Sequence, residues 1–165
     1  SYIPTNGSAV TRSGDDTSIS AETLNYHPTE GTIVFDGQSG YPHGVTKSSY
    51  AYIVDGENDM FLYRHQGGGT YRLGGTGLSM YFNDSDISAQ HRHVVSYNGN
   101  NDLVYYTETG LVASDDSVIL PTNVTRIKLG STSSNTSNYS GWIKGFSYYP
   151  QRITNTEAEA LAATI

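Results

Sequence analysis

"HRHVVSYNGNNDLVYY", residues 91–106, sets two apolar runs on either side of a four-residue break. The break, "NGNN" (98–101), is made of the two residue types that accept a positive φ most readily. The flanking runs, 91–97 and 102–108, therefore pair as a β-hairpin. In the first run His91, His93, Val95 and Tyr97 fall on one face by period-two alternation. That face points toward a core. No helical period fits either run, so the hairpin commits the chain to antiparallel sheet.

The same pattern recurs outward in both directions. "GTIVF" (31–35) is a compact apolar run after a glycine. "SYAYIV" (49–54) alternates, and "DMFLYRH" (59–65) follows it across the turn "DGEN" (55–58). "GLSMYFN" (77–83), "LVAS" (111–114), "TRIKLG" (125–130) and "GWIKGFSYYP" (141–150) continue the series. Short strands with turn signals every ~8–12 residues predict an all-β antiparallel β-sandwich of jelly-roll type. One helix is expected, at "TNTEAEALAA" (154–163), where Thr154 and Glu157 have capping-box spacing. It is too short to stand alone, so Ala158, Leu161 and Ala162 are expected to dock it against the end of the sandwich. Three stretches read as long loops: 36–49, 64–77 and 130–141. Their glycine runs lack the Lys-Ser/Thr and helix of a phosphate cradle.

Composition agrees with this reading. The 165 residues include 14 Tyr and 18 Gly, and only 15% are charged. Tyr and Thr suit pleated surfaces, Gly and Asn suit turns. A net charge of -7 argues against nucleic acid or an anionic membrane surface as partner. No apolar run approaches the ~18 residues of a membrane span, so no membrane insertion is expected. There is no Cys. Disulfides and thiolate metal sites are excluded, and a loop-rich chain without them is expected to fold in a bacterial cytoplasm. The opening "SYIPTNGSAVTR" (1–12) reads as a passage out of a longer protein, with 1–8 a connector and 9–165 a single domain.

Several of these segments resemble a known family. "VVSYNG" (94–99), "LG" (129–130), "GWIKGFSYY" (141–149) and "ITNTE" (153–157) resemble the second half of the concanavalin A-like, laminin-G-like jelly roll. The opening run, taken with "GWIKGFSYYPQRITNTEAEAL" (141–161), is similar to jelly-roll domains of bacteriophage virion proteins, tail-fibre and head-spike components among them. The turn "ETG" (108–110) departs from the Asp-Gly that such relatives often carry there.

The resemblance implies a module displayed on a phage particle that binds host-surface polysaccharide or another glycan. It leaves open a structural module packed on other virion proteins, and a polysaccharide-degrading enzyme. Enzymes of this fold need carboxylates at fixed spacing, with acid and nucleophile ~5–5.5 Å apart in the retaining type. Here Glu57 and Asp59 are followed by Phe61 where a second Glu is required, and Asn83 replaces the lysine of the lyase pattern. No catalytic residue is assigned. His91 and His93, at i and i+2, have metal-ligand spacing but read as core histidines.

Sugar binding needs aromatic faces with polar groups converging on hydroxyls. The candidates are Tyr41, His43, Tyr71, Arg72, Tyr139 and Trp142. Trp142 alternates with Ile143, and the family resemblance puts Ile143 in the core and Trp142 outside it. Calcium is a possible cofactor, with Asp55, Asp84 and Asp86 as oxygen donors in hairpin loops.

Overall fold

The structure is a computed structural model that describes residues 17–39, 49–64, 70–83, 89–131, 139 and 141–164. The expected connector, residues 1–8, and the expected start of the domain at Ala9 lie outside the described residues. Eleven strands and one helix are described: β1 (Thr17–Ser20), β2 (Gly31–Ser39), β3 (Ser49–Glu57), β4 (Met60–Arg64), β5 (Thr70–Gly75), β6 (Leu78–Asn83), β7 (His91–Tyr97), β8 (Leu103–Thr107), β9 (Gly110–Asp115), β10 (Thr122–Leu129), β11 (Gly141–Tyr149) and α1 (Asn155–Ala162). They form a six-stranded sheet, β1-β10-β3-β4-β5-β6, and a five-stranded sheet, β11-β2-β7-β8-β9. Every strand pair is antiparallel. The two sheets are packed face to face as a jelly-roll sandwich.

The core between them follows the alternation. Tyr52, Val54, Leu62, Leu73 and Ile127 come from one sheet, and Ile33, Phe35, Val95, Tyr97, Leu103 and Tyr105 from the other, all fully buried. Each such side chain contributes ~1.5–3 kcal/mol by leaving water. The hairpin read first is present, with Tyr97 paired to Leu103 and the left-handed residue of its turn at Asn101, φ 61. Asn58, φ 57, plays that part in the turn between β3 and β4.

Two segments read as loops contain strand. β2 continues past residue 35 to Ser39, and β5 lies inside the glycine-rich stretch 64–77. Gly74 and Gly75 belong to β5. A Cβ on Gly74 would come within 2.6 Å of the Phe61 ring, and one on Gly75 within 2.8 Å of the Asp59 carbonyl. These glycines make room for neighbours and do not loosen the chain.

The helix begins with the expected capping box. Glu157 N donates to Thr154 Oγ1 at 3.2 Å, and Thr154 N donates to Glu157 Oε2 at 2.8 Å. It docks on the outer face of the five-stranded sheet and not against the end of the sandwich. Ala158 and Ala162 are buried on Val34, Val94, Val104 and Tyr106, with Ile153 and Leu161 at the margin. Those four outward apolar residues need a cover, and the helix supplies it. Arg92 fastens its far end. The guanidinium holds Asp36 through Nε (2.5 Å) and Nη2 (2.7 Å), and Nη1 donates to Leu161 O at 3.2 Å. A cation at a helix C-terminus is favourable there.

Candidate functional site

On the outer face of the six-stranded sheet no described helix or strand is stacked. Register places Lys128, Ile53, Phe61, Gly74 and Ser79 in one row across β10, β3, β4, β5 and β6. Toward the β10 side Ile53 and Lys128 are buried. Toward the β6 edge the face opens, and Tyr81 is 49% exposed. Phe61 lies over Gly74, and Tyr50 meets its ring edge-on at 5.5 Å. Arg72 pairs with Tyr81 in register. Its guanidinium carbon lies 5.6 Å from the Tyr81 ring centre, and its Nε donates to Ser79 Oγ at 3.0 Å. The result is a shallow face of three aromatic rings with a fixed cation and hydroxyls beside them. Of these residues the sequence reading proposed only Arg72 for binding. The signal for the rest was present: Phe61 and Tyr81 stand out of phase with the core residues Met60, Leu62, Met80 and Phe82.

The other proposed binding residues are dispersed. Tyr41 and His43 lie outside the described residues. Tyr71 is in the core at 0% exposure, because β5 turns it inward with Leu73. Its hydroxyl is 3.1 Å from that of the half-buried Tyr139, and the Tyr71 ring itself has no face open to a ligand. Tyr139 braces the end of the sandwich, edge-on to Phe35 at 5.9 Å. Trp142 is 62% exposed on β11, an edge strand. Ile143, expected in the core, is itself 37% exposed. Trp142 pairs with Gln38 and Ile143 with Gly37, so the two still fall on opposite faces, and the register slips only beyond them, between Ile143 and Gly145. Phe146 and Tyr148 are the β11 residues that pack against the core.

The oxygen donors proposed for calcium are engaged or undescribed. Asp55 accepts from Arg126 Nε at 2.7 Å. Asp84 and Asp86 lie outside the described residues. Asp59 Oδ1 accepts from Gly56 N at 3.0 Å, and Glu57 Oε2 from Thr122 Oγ1 at 3.4 Å. Asp59 closes the turn between β3 and β4, and Glu57 ties the end of β3 to β10.

Between the sheets sits a polar cluster. His91 and His93 are buried, as their shared face predicts. Glu108, from the turn after β8, meets His91 Nδ1 at 2.5 Å. His93 Nδ1 is 2.6 Å from the Tyr105 hydroxyl, and the His93 ring centre is 4.5 Å from that of Tyr71. Burial, with the His91 charge adding to it, pushes the His93 pKa down to about 3. Burial raises that of Glu108, but the hydrogen bond and charge of His91 outweigh it and hold the carboxyl below its usual range. His93 is therefore neutral at pH 7. Neither ring has access to a substrate. Among the described residues no three His, Asp or Glu groups come together to hold a metal ion. No helix among them is long and apolar enough to cross a membrane.

No family model matches the sequence, and no curated protein matches it. Solved structures do. CBM40, a carbohydrate-binding module, of the Ruminococcus gnavus IT-sialidase, bound to α2,3-sialyllactose, matches at TM-score 0.63 and 15% identity over 82% of this chain and 84% of that one. The botulinum neurotoxin serotype D binding domain matches at TM-score 0.68 and 13% identity. There the match covers 92% of this chain but only 40% of the neurotoxin domain. The likeness shows the fold. It is a β-sandwich shared with binding domains.

Proposed function

We propose that the chain is a non-catalytic glycan-binding module that uses the outer face of its six-stranded sheet as the sugar platform. The observation that carries this reading is the Phe61–Arg72–Tyr81 face. Rings offer π-surfaces to the C–H face of a pyranose, and the Arg72 guanidinium and Ser79 hydroxyl lie beside them to meet its oxygens. Strands hold these groups, so little ordering accompanies binding. The sialyllactose-bound module supports the reading because the match covers most of its length. The similarity of both chain ends to phage jelly rolls supplies the setting: a module on a virion that attaches to host-surface polysaccharide.

A second reading rests on Trp142 and Ile143. Two exposed apolar side chains at consecutive positions of an edge strand suit a protein neighbour that wraps that edge, such as another virion protein.

A glycan array of bacterial and sialylated saccharides, probed with the purified chain, tests the first reading. Binding is expected in Trp142→Ala as in the wild type, and lost in Arg72→Ala. A chelator is expected to leave binding unchanged, since Phe61, Arg72, Ser79 and Tyr81 supply no carboxylate to hold a cation. No binding by a folded wild type, or loss only in Trp142→Ala, would overturn the sheet-face assignment.

A further inference from the structure

A cavity of about 450 Å³ opens between the segment 21–28 and the start of β10. It lies at the β1–β10 edge of the six-stranded sheet, the edge opposite Tyr81. Glu22, Asn25, Tyr26, Pro28, Asn123 and Val124 line it.

Both walls are fixed. On one side Leu24 N donates to Ser20 O (3.1 Å) and Tyr26 N to Ala21 O (2.8 Å), closing a single helical turn. Ala21 N donates to Thr125 O at 3.0 Å and ties that turn to β10. The Tyr26 ring stacks on Tyr148 at 5.3 Å. On the other side β10 slips register between Thr122 and Arg126, and it lies so close to β3 that a Cβ on Gly56 would come within 2.5 Å of Thr122 O. Asn25 and Asn123 both have φ 51. Of the four left-handed asparagines among the described residues, Asn58 and Asn101 serve hairpin turns. The other two line this one cavity, and the Asn123 conformation belongs to no hairpin.

The lining has a chemistry of its own. Two carboxamides and the Glu22 carboxylate supply donors and acceptors, and Tyr26, Pro28 and Val124 supply apolar contact. Among the described residues no Lys or Arg lines the cavity. With Glu22 in the wall and a net charge of -7, an anionic ligand is repelled. Carboxamides and a carboxylate among apolar surfaces match an uncharged pyranose, polar at its hydroxyls and apolar at its C–H face. We propose that this cavity is a second saccharide site, selective for an uncharged pyranose and separate from the Arg72–Tyr81 face.

The test is an NMR titration of the ¹⁵N-labelled chain. The probes are the methyl glycosides of glucose, galactose, mannose and N-acetylglucosamine, with that of N-acetylneuraminic acid as the charged comparator. Saturable shifts are expected at the amides of residues 21–27 and 122–124 with at least one uncharged glycoside, and none there with the charged one. Asn25→Gly and Asn123→Gly keep a left-handed backbone and delete only the carboxamide. Each is expected to weaken binding about fivefold, the worth of one hydrogen bond, with Tm unchanged. The proposal is overturned if no uncharged glycoside shifts these amides, if the charged one shifts them equally, or if both variants bind as the wild type does. Shifts confined to Tyr50, Phe61, Arg72 and Tyr81 would also overturn it, and would leave the sheet-face reading standing.

Discussion

The outer face of the five-stranded sheet presents Val34, Val94, Val104 and Tyr106, and α1 lies on them. The outer face of the six-stranded sheet presents Tyr50, Phe61 and Tyr81 beside Arg72 and Ser79, and no described helix or strand lies there. Both are outer faces of antiparallel sheet with the same alternation. They differ in side-chain chemistry. Aliphatic side chains gain only by leaving water, so a row of them calls for a cover. Tyrosine and arginine remain in contact with water through their polar ends and still offer flat surface to a ligand. One face carries the helix, and the other presents Tyr81 49% exposed with Arg72 over its ring.

The largest effect is expected where the cover is broken. Ala158→Glu forces a carboxylate into the apolar contact with Val94 and Val104. A cost of ~3–5 kcal/mol is expected, the size of an unpaired buried charge. Urea unfolding measures it, and a cost below ~1 kcal/mol would mean that α1 is not docked as described.

Acid acts on the interior that both faces share. The His93 pKa is about 6.5 unfolded and about 3 folded. Below pH 6.5 the unfolded chain takes up a proton that the folded chain refuses, so stability falls with pH. The loss from His93 reaches ~3 kcal/mol by pH 4. The Glu108 carboxyl, lowered in the fold, removes more below its unfolded value near 4.5. Replacing His93 by Phe should flatten the pH 4–6.5 part of the stability curve. A curve that stays as steep would place the titrating group elsewhere.

Gly74→Ala probes the open face. The new Cβ displaces the Phe61 ring, which can swing toward solvent, so stability should fall by only ~1 kcal/mol. Saccharide binding should fall much more. Equal binding with a displaced ring would remove Phe61 from the platform.

How much of this was legible in the sequence differs between the two faces. The hairpin 91–108 and the Thr154–Glu157 cap were readable because local signals decide them: Asn and Gly in a turn, Thr and Glu three apart. The helix cover was half readable. Ala158 and Ala162 announce a docking stripe, but which surface receives it depends on strands far away in sequence. The open face was mostly hidden. Gly74 and Gly75 read as loop, although Gly74 is small because Phe61 lies across it. Tyr71 read as a loop aromatic for the same reason and is in the core. Trp142 and Ile143 were read by alternation, which holds for that pair, but Ile143 comes so near the end of its strand that it is 37% exposed. Glu108 as partner of His91 follows from the pairing of β7 with β8, and no spacing rule points to it.

The central claim is that the two outer faces divide stability from binding. Tyr81→Ala tests it most directly, with urea unfolding and glycan binding measured on the same preparation. The account predicts stability within ~0.5 kcal/mol of the wild type, as for an exposed substitution, together with loss of saccharide binding. Retained binding, or a loss that only tracks unfolding, would contradict it.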